Sequence, residues 1–108
     1  MNLFKEYQLK IESLLKTLEK KKIIKLPLNL NSLTLQLPPK KQKGHVASNV
    51  ALLLSKINNE KPITLANLLK TEMENNFSEI ESIEIASPGF LNISFKINFW
   101  EKVLFEII

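Results

Sequence analysis

Apolar residues recur at three- and four-residue spacing over residues 1–22, with lysine and glutamate between them. This spacing predicts an amphipathic helix. The same periodicity predicts helices over residues 45–57 and 62–76. Pro62 fits the first turn of the latter, where its missing N–H costs nothing. A last helix is predicted over residues 98–108, around aromatic and branched apolar side chains.

Alternating apolar and polar positions predict strands in two other stretches. Residues 33–37 carry leucine at every second position, the period of a half-buried strand. Residues 82–96 alternate on both sides of Pro88-Gly89, and proline followed by glycine is a strong turn signal. This second stretch therefore predicts a β-hairpin.

Composition excludes several classes of site. The chain has 108 residues, 44% of them hydrophobic and 24% charged, and it lacks cysteine and aspartate. Disulfides, iron–sulfur clusters and thiolate zinc sites are therefore excluded, and the single histidine, His45, is too little for a multi-histidine metal site. No apolar run approaches ~18 residues, so no membrane span is expected. Charges at Lys5, Glu6 and Lys10 interrupt any secretory signal, and a cytoplasmic location is expected.

Charge is distributed unevenly along the chain. Residues 1–43 carry ten Lys and three Glu, or +7, whereas residues 44–108 carry five Lys and eight Glu, or −3. This asymmetry favours a basic face that suits a polyanion. Arginine is absent, so the basic groups can attract phosphate but cannot read bases in bidentate fashion. Biased codon usage in an AT-rich genome is an alternative explanation of the lysine excess.

Nothing in the sequence assembles catalytic chemistry. Gly44 and Gly89 are the only glycines, so a phosphate-cradling glycine loop is missing. A nucleophile elbow and a metal-ligand constellation are missing as well. We therefore expect no catalytic residues and no bound cofactor or metal in this chain.

A basic loop precedes the second predicted helix. Its basic residues are Lys40, Lys41 and Lys43. Gly44 allows close backbone approach, and free N–H groups at a helix start favour an anion. His45 and Asn49 follow it, and for both a structural hydrogen bond is the alternative to contact with a partner.

The turn of the predicted hairpin carries a second candidate site. If the alternate apolar residues of the second strand face the core, Phe90 and Asn92 lie on its other face. An aromatic ring, an amide and the nearby hydroxyl of Ser87 can together stack on and hydrogen bond one unstacked base. The alternative is that Phe90 folds over the hairpin or under a helix.

Three segments together resemble a known family. The segments GHVASNVALLLSK, KPITLANLLK and IESIEIASPGFLNISF are similar to the N-terminal additional domain of arginyl-tRNA synthetase. The resemblance covers about residues 3–105, and the order and spacing of the segments make chance similarity a poor explanation. Many members of the family have an aspartate soon after the first glycine, where this chain has Val46 after Gly44-His45.

The resemblance implies an α+β fold, a small antiparallel β-sheet with α-helices packed on one face. It implies contact with the D-loop at the outer corner of tRNA. The RNA-binding residues it implies are Phe90, Asn92, Ser87, Lys40, Lys41 and Lys43, the lysines through backbone phosphates. Mainly structural roles are expected for the motif residues Gly44, His45, Asn49 and Gly89.

The resemblance also implies a larger parent, an arginine–tRNA ligase that uses ATP with magnesium. The class I nucleotide motifs are missing from this chain and would lie beyond residue 108, so the chain alone should be inert. Its apolar end resembles a cut inside a longer protein. The expected partners are tRNA and the parent's catalytic core, without DNA or membrane. The alternative is a protein-interaction domain that packs on a sister domain or partner chain without direct RNA contact.

Overall fold

The computed structural model describes residues 3–107, so residues 1, 2 and 108 of the predicted helices lie outside the described residues. Within the described range, the chain forms four helices and four strands. They are α1 (Leu3–Lys20), β1 (Leu35–Gln36), β2 (Val46–Ser48), α2 (Val50–Ser55), α3 (Pro62–Asn76), β3 (Ile80–Ala86), β4 (Phe90–Phe95) and α4 (Ile97–Ile107).

The strands form one antiparallel sheet in the order β1-β2-β4-β3. β4 lies in the interior of this sheet, with β2 on one side and β3 on the other. The buried side chains of one sheet face join those of the helices in a single core, which confirms the predicted α+β class. The sheet's share of that core includes Val46, Ile83, Leu91 and Ile93; the share of α2 and α3 includes Val50, Leu54, Leu65, Leu69 and Met73.

The predicted hairpin is present, joined by a tight turn from β3 to β4. The Ala86 carbonyl accepts a hydrogen bond from the Gly89 N–H at 2.9 Å, and the Ser87–Pro88 peptide bond is cis, which defines a type VI turn. A Cβ on Gly89 would lie 2.8 Å from the Cβ of Pro62. Glycine is therefore needed to let the turn pack against the start of α3.

Tyr7 connects α1 to the end of the sheet. Its ring is 1% exposed and meets Phe95 and Phe77 edge-on at centroid distances of 4.8 and 5.9 Å. Its hydroxyl donates to Glu79, which also accepts from Lys10 at 2.7 Å. Burial, and then Glu79, raise the pKa of Tyr7 above its ordinary 10. Burial alone raises the pKa of Glu79, but hydrogen bonds from Lys10 and Tyr7 outweigh it and hold that pKa below 4.5.

The prediction of one helix over residues 45–57 is wrong. Val46–Ser48 instead form β2 and pair with β4, with Val46 opposite Ile93. The helix α2 begins only at Val50, whose N–H donates to the Ser48 hydroxyl at 3.2 Å. Pairing with a partner more than forty residues away thus overrides the local helical spacing. Gly44 consequently leads into a strand, and the anion site expected at a helix start there is absent.

The strand predicted over residues 33–37 is shorter than expected. β1 consists of Leu35–Gln36, which pair with Ser48 and Ala47 of β2. Leu33 turns into the core, whereas Leu37, expected on the same face, is 70% exposed.

The first helix ends at Lys20 rather than at residue 22. Lys22 adopts a left-handed backbone conformation, with φ of 62°. The Ile23 N–H reaches back to the Leu18 carbonyl and the Lys22 N–H to the Glu19 carbonyl, both at 2.9 Å. This pair of bonds is a Schellman motif, which terminates the helix and satisfies its last carbonyls.

Candidate nucleic-acid interface

The sheet face that points away from the helices is termed the outer face. Strand register places Phe90 and Asn92 of β4 on it, opposite Ala86 and Glu84 of β3. Ala47 of β2 lies on the other side of Asn92. The predicted assignment of Phe90 and Asn92 to one face of the hairpin therefore agrees with the register.

The segment that covers part of the outer face is the basic loop, residues 40–44. The side chains of Lys40, Lys41 and Lys43 are exposed, and none has an ion-pair or hydrogen-bond partner among the described residues. Lys10, by contrast, is bound to Glu79. The loop thus presents three uncompensated ammonium groups to solvent.

Asn92 does not project into solvent as a base-reading amide would. It is 3% exposed, because the basic loop folds over it. The Cβ position of Gly44 is 3.1 Å from the Asn92 Cβ, and Gly44 reaches this position with a φ of +120° that favours glycine. The Asn92 amide donates to the Gln42 Oε1 at 2.8 Å, while its own Oδ1 is buried without a partner in the described part of the chain.

Phe90 and Ser87 are more accessible than Asn92. The Phe90 ring is half-buried beside the turn and makes no ring–ring contact with the residues described. Ser87 is exposed at the turn itself. Phe90 therefore keeps part of its aromatic surface available.

His45 lies next to the basic loop and makes its hydrogen bonds to β4. Its backbone N–H donates to the Ile93 carbonyl at 2.8 Å, and its ring Nδ1 accepts from the backbone N–H of Phe95 at 2.9 Å. The ring stacks on Trp100 at a centroid distance of 4.1 Å. Since Nδ1 is an acceptor, the neutral ring carries its proton on Nε2. Burial lowers the pKa of His45 below 6.5.

The lowered pKa of His45 predicts a pH-dependent stability. The unfolded chain binds this proton at higher pH than the folded chain, so the free energy of unfolding should be fully retained above about pH 6.5 and fall as pH drops below it. Urea unfolding from about pH 8 to about pH 5 measures this change. His45→Phe keeps a stacking ring but cannot titrate, so its profile should be flat in this range. A wild-type stability that rises as pH falls would contradict the assignment.

Asn49 joins β2 to the segment before β1. Its Oδ1 accepts from the Thr34 N–H at 2.8 Å, and its Nδ2 donates to the Ser32 carbonyl at 2.9 Å. Both ends of the amide are thus used within the chain. Asn49 makes the structural hydrogen bonds that were one of its two predicted roles.

Gln42 is the residue of this surface that sequence reasoning missed. It lies between Lys41 and Lys43, is exposed, and bonds to Asn92 fifty residues away. Its only signal in the sequence is its position inside a lysine cluster, which does not reveal a contact across the sheet.

Residues 3–107 contain no group of three or more histidine, cysteine, aspartate or glutamate side chains that could hold a metal ion. None of the helices in that range is both long and apolar enough to cross a membrane.

Comparison with known proteins gives a family match over most of the chain. A family model described as the arginyl tRNA synthetase N terminal domain matches residues 6–95. These residues include the basic loop and both strands of the hairpin.

Several curated relatives align with nearly the whole chain. An arginine–tRNA ligase of Pelagibacter ubique is 40% identical over 107 residues, 99% of this chain. Arginine–tRNA ligases of Wolbachia pipientis and Bartonella quintana are 34% and 35% identical over 99% and 96% of it. In each case the chain spans only 18% of the relative's length.

Proposed function

This chain belongs to the arginyl-tRNA synthetase N-terminal domain family, and from that premise we propose that it binds the D-loop at the outer corner of tRNA. Binding there would position the tRNA for ATP-dependent arginylation by a class I catalytic core. The parent protein is then an arginine–tRNA ligase, and we expect it in the cytoplasm.

One observation carries the proposal. Three exposed lysines, which have no partner among the described residues, lie in a loop that packs on the same sheet face as the half-buried Phe90 ring. Ammonium groups attract backbone phosphates without regard to sequence, and an aromatic ring stacks on an unpaired base. The two elements together suit a folded RNA that displays a single-stranded loop, and they suit duplex DNA poorly.

The chain contributes binding rather than chemistry. Its described residues offer neither a glycine-rich phosphate cradle nor a carboxylate cluster, so ATP and magnesium would be held by the catalytic core. Contacts far from the reacting ester raise tRNA affinity and hold the acceptor end in register.

A second candidate function rests on α4. Ile97, Leu104 and Phe105 are 64%, 42% and 83% exposed on this helix. Exposed apolar side chains at helical spacing suit packing against another protein surface. A protein-interaction domain without direct RNA contact would use this surface, whereas the RNA-binding function uses the outer face of the sheet.

Removal of the Phe90 ring tests the proposed function. Phe90→Ala should weaken binding of a tRNA transcript about tenfold, because stacking of one base on an aromatic ring contributes about 1–3 kcal/mol. Phe4→Ala removes an exposed ring from α1 and should leave affinity unchanged. Fluorescence anisotropy with labelled tRNA measures both, and circular dichroism checks that each variant folds.

Phe90→Leu also removes the aromatic ring but keeps most of the buried volume, so it replaces Phe90→Ala in this test if Phe90→Ala fails to fold. Equal affinities for the wild type, Phe90→Leu and Phe4→Ala would overturn the stacking role. Wild-type binding to tRNA that is no tighter than to an unrelated hairpin RNA would instead favour the protein-interaction function.

A further inference from the structure

The Asn92 amide is unusual because it is buried and satisfied at one end only. Its Nδ2 donates to Gln42, and its Oδ1 lacks a partner within the described chain. A buried polar atom without a partner is costly, so the position of Asn92 calls for an explanation other than stability. Among residues 3–107, the side chain that its bonded end engages is Gln42.

Gln42 has the complementary arrangement. Its Oε1 is occupied by Asn92, while its Nε2 has no hydrogen-bond partner among the described residues and its side chain is exposed. The bond to Asn92 restrains the Gln42 amide through its oxygen and leaves the two Nε2 protons available to donate to a partner. These protons lie in the basic loop, flanked by Lys41 and Lys43.

We propose that Gln42 is a base-contacting residue of the RNA surface and that Asn92 is its positioning residue. The proposal rests on the proposed RNA-binding function and deepens it. Phe90 and Asn92 are two positions apart on one strand face, about 7 Å, so a base stacked on Phe90 lies within reach of a side chain seated on Asn92. Gln42 donates its Nε2 protons to an acceptor on the edge of that base.

Direct contact between Asn92 and RNA is the competing arrangement. It would require the basic loop to lift, since Gly44 packs on the Asn92 backbone and Gln42 covers its amide. In that arrangement the Gln42 side chain opposes binding, because it must leave the Asn92 amide before RNA can contact it. The two arrangements predict opposite signs for removal of the Gln42 side chain.

Gln42→Ala should therefore weaken tRNA binding by about threefold to tenfold, the range for loss of one hydrogen bond between neutral groups. The slope of log affinity against log salt should not change, because no phosphate contact is lost. Lys41→Ala, one residue away, should reduce that slope by about one. Gln8→Ala on α1 is the matched control and should bind as the wild type does.

Tighter binding by Gln42→Ala, or binding equal to that of Gln8→Ala, would overturn the proposal. Asn92→Ala tests the positioning role: in a Gln42→Ala background it should cause no further loss, whereas independent contacts would add. The affinity of each variant is compared with that of the wild type. If the wild type itself does not bind tRNA specifically, the proposed RNA-binding function is rejected, rather than the role of Gln42.

Discussion

Replacement of Tyr7 by alanine is expected to lower the free energy of unfolding by about 3–5 kcal/mol, the range for removal of a large buried aromatic side chain. The ring is 1% exposed and touches three other aromatic rings. These are Phe77, Phe95 and Phe99, at centroid distances of 5.9, 4.8 and 6.4 Å. Removal of the ring would abolish its contacts with Phe95 of the sheet and Phe99 of α4 and would leave a cavity between α1 and these elements.

The Tyr7 hydroxyl adds a second contribution, which Tyr7→Phe isolates. Loss of the hydrogen bond to Glu79 should cost about 1–2 kcal/mol, because the acceptor is a partly buried carboxylate. Lys10 would remain bound to Glu79 and limit the loss. The ring therefore accounts for most of the effect of Tyr7→Ala.

Urea unfolding followed by circular dichroism measures both variants. Leu9→Ala, on the exposed side of the same helix, is the control and should lie within about 0.5 kcal/mol of the wild type. A Tyr7→Ala effect no larger than that of Leu9→Ala would show that α1 is not held by this cluster.

Local signals explain which elements were predictable from the sequence. Pro62 occupies the first turn of α3, whose range Pro62–Asn76 is the predicted one. Pro88 and Gly89 form the predicted turn of the hairpin. In these cases the information that determines the structure lies within a few residues of the element itself.

β2 was not predictable because its partner is remote in sequence. Val46 and Val50 have the spacing of an amphipathic helix, yet Val46 pairs with Ile93 in the sheet. No feature of residues 45–57 indicates that one edge of β4 is free to pair with another strand. Strand formation depends on such cross-strand neighbours more than on intrinsic preference.

The burial of Asn92 escaped prediction for a related reason. Alternation along β4 assigns Asn92 to the outer face correctly, but alternation does not reveal what covers that face. The cover is the basic loop, through Gln42 and Gly44, about fifty residues earlier in the chain. The sequence therefore indicated the two parts of the candidate site, the lysines and Phe90, without indicating that the basic loop packs on Asn92, two positions from Phe90 on the same strand face.

Loss of the three loop lysines should have the largest effect on RNA binding. Each exposed ammonium that neutralises a phosphate releases a counterion and contributes about 0.9 to the salt slope. Lys40→Ala, Lys41→Ala and Lys43→Ala combined should weaken tRNA binding on the order of a hundredfold at low salt. The fold should be unaffected, because none of these side chains has a partner in the described chain.

A second triple variant distinguishes the effect of the loop lysines from the effect of net charge. Lys16, Lys56 and Lys102 are also exposed, and they lie on α1, after α2 and on α4. Their replacement by alanine removes the same charge from positions outside the basic loop. Long-range attraction alone would make the two triple variants equal.

The salt dependence of tRNA affinity, measured for the wild type and both triple variants, tests the RNA surface most directly. We predict that the slope of log affinity against log salt falls by about two to three in the variant of the basic loop. It should change little in the variant of Lys16, Lys56 and Lys102. Equal slopes in the two variants, or a wild-type slope near zero, would contradict the assignment of the basic loop to the RNA-binding surface.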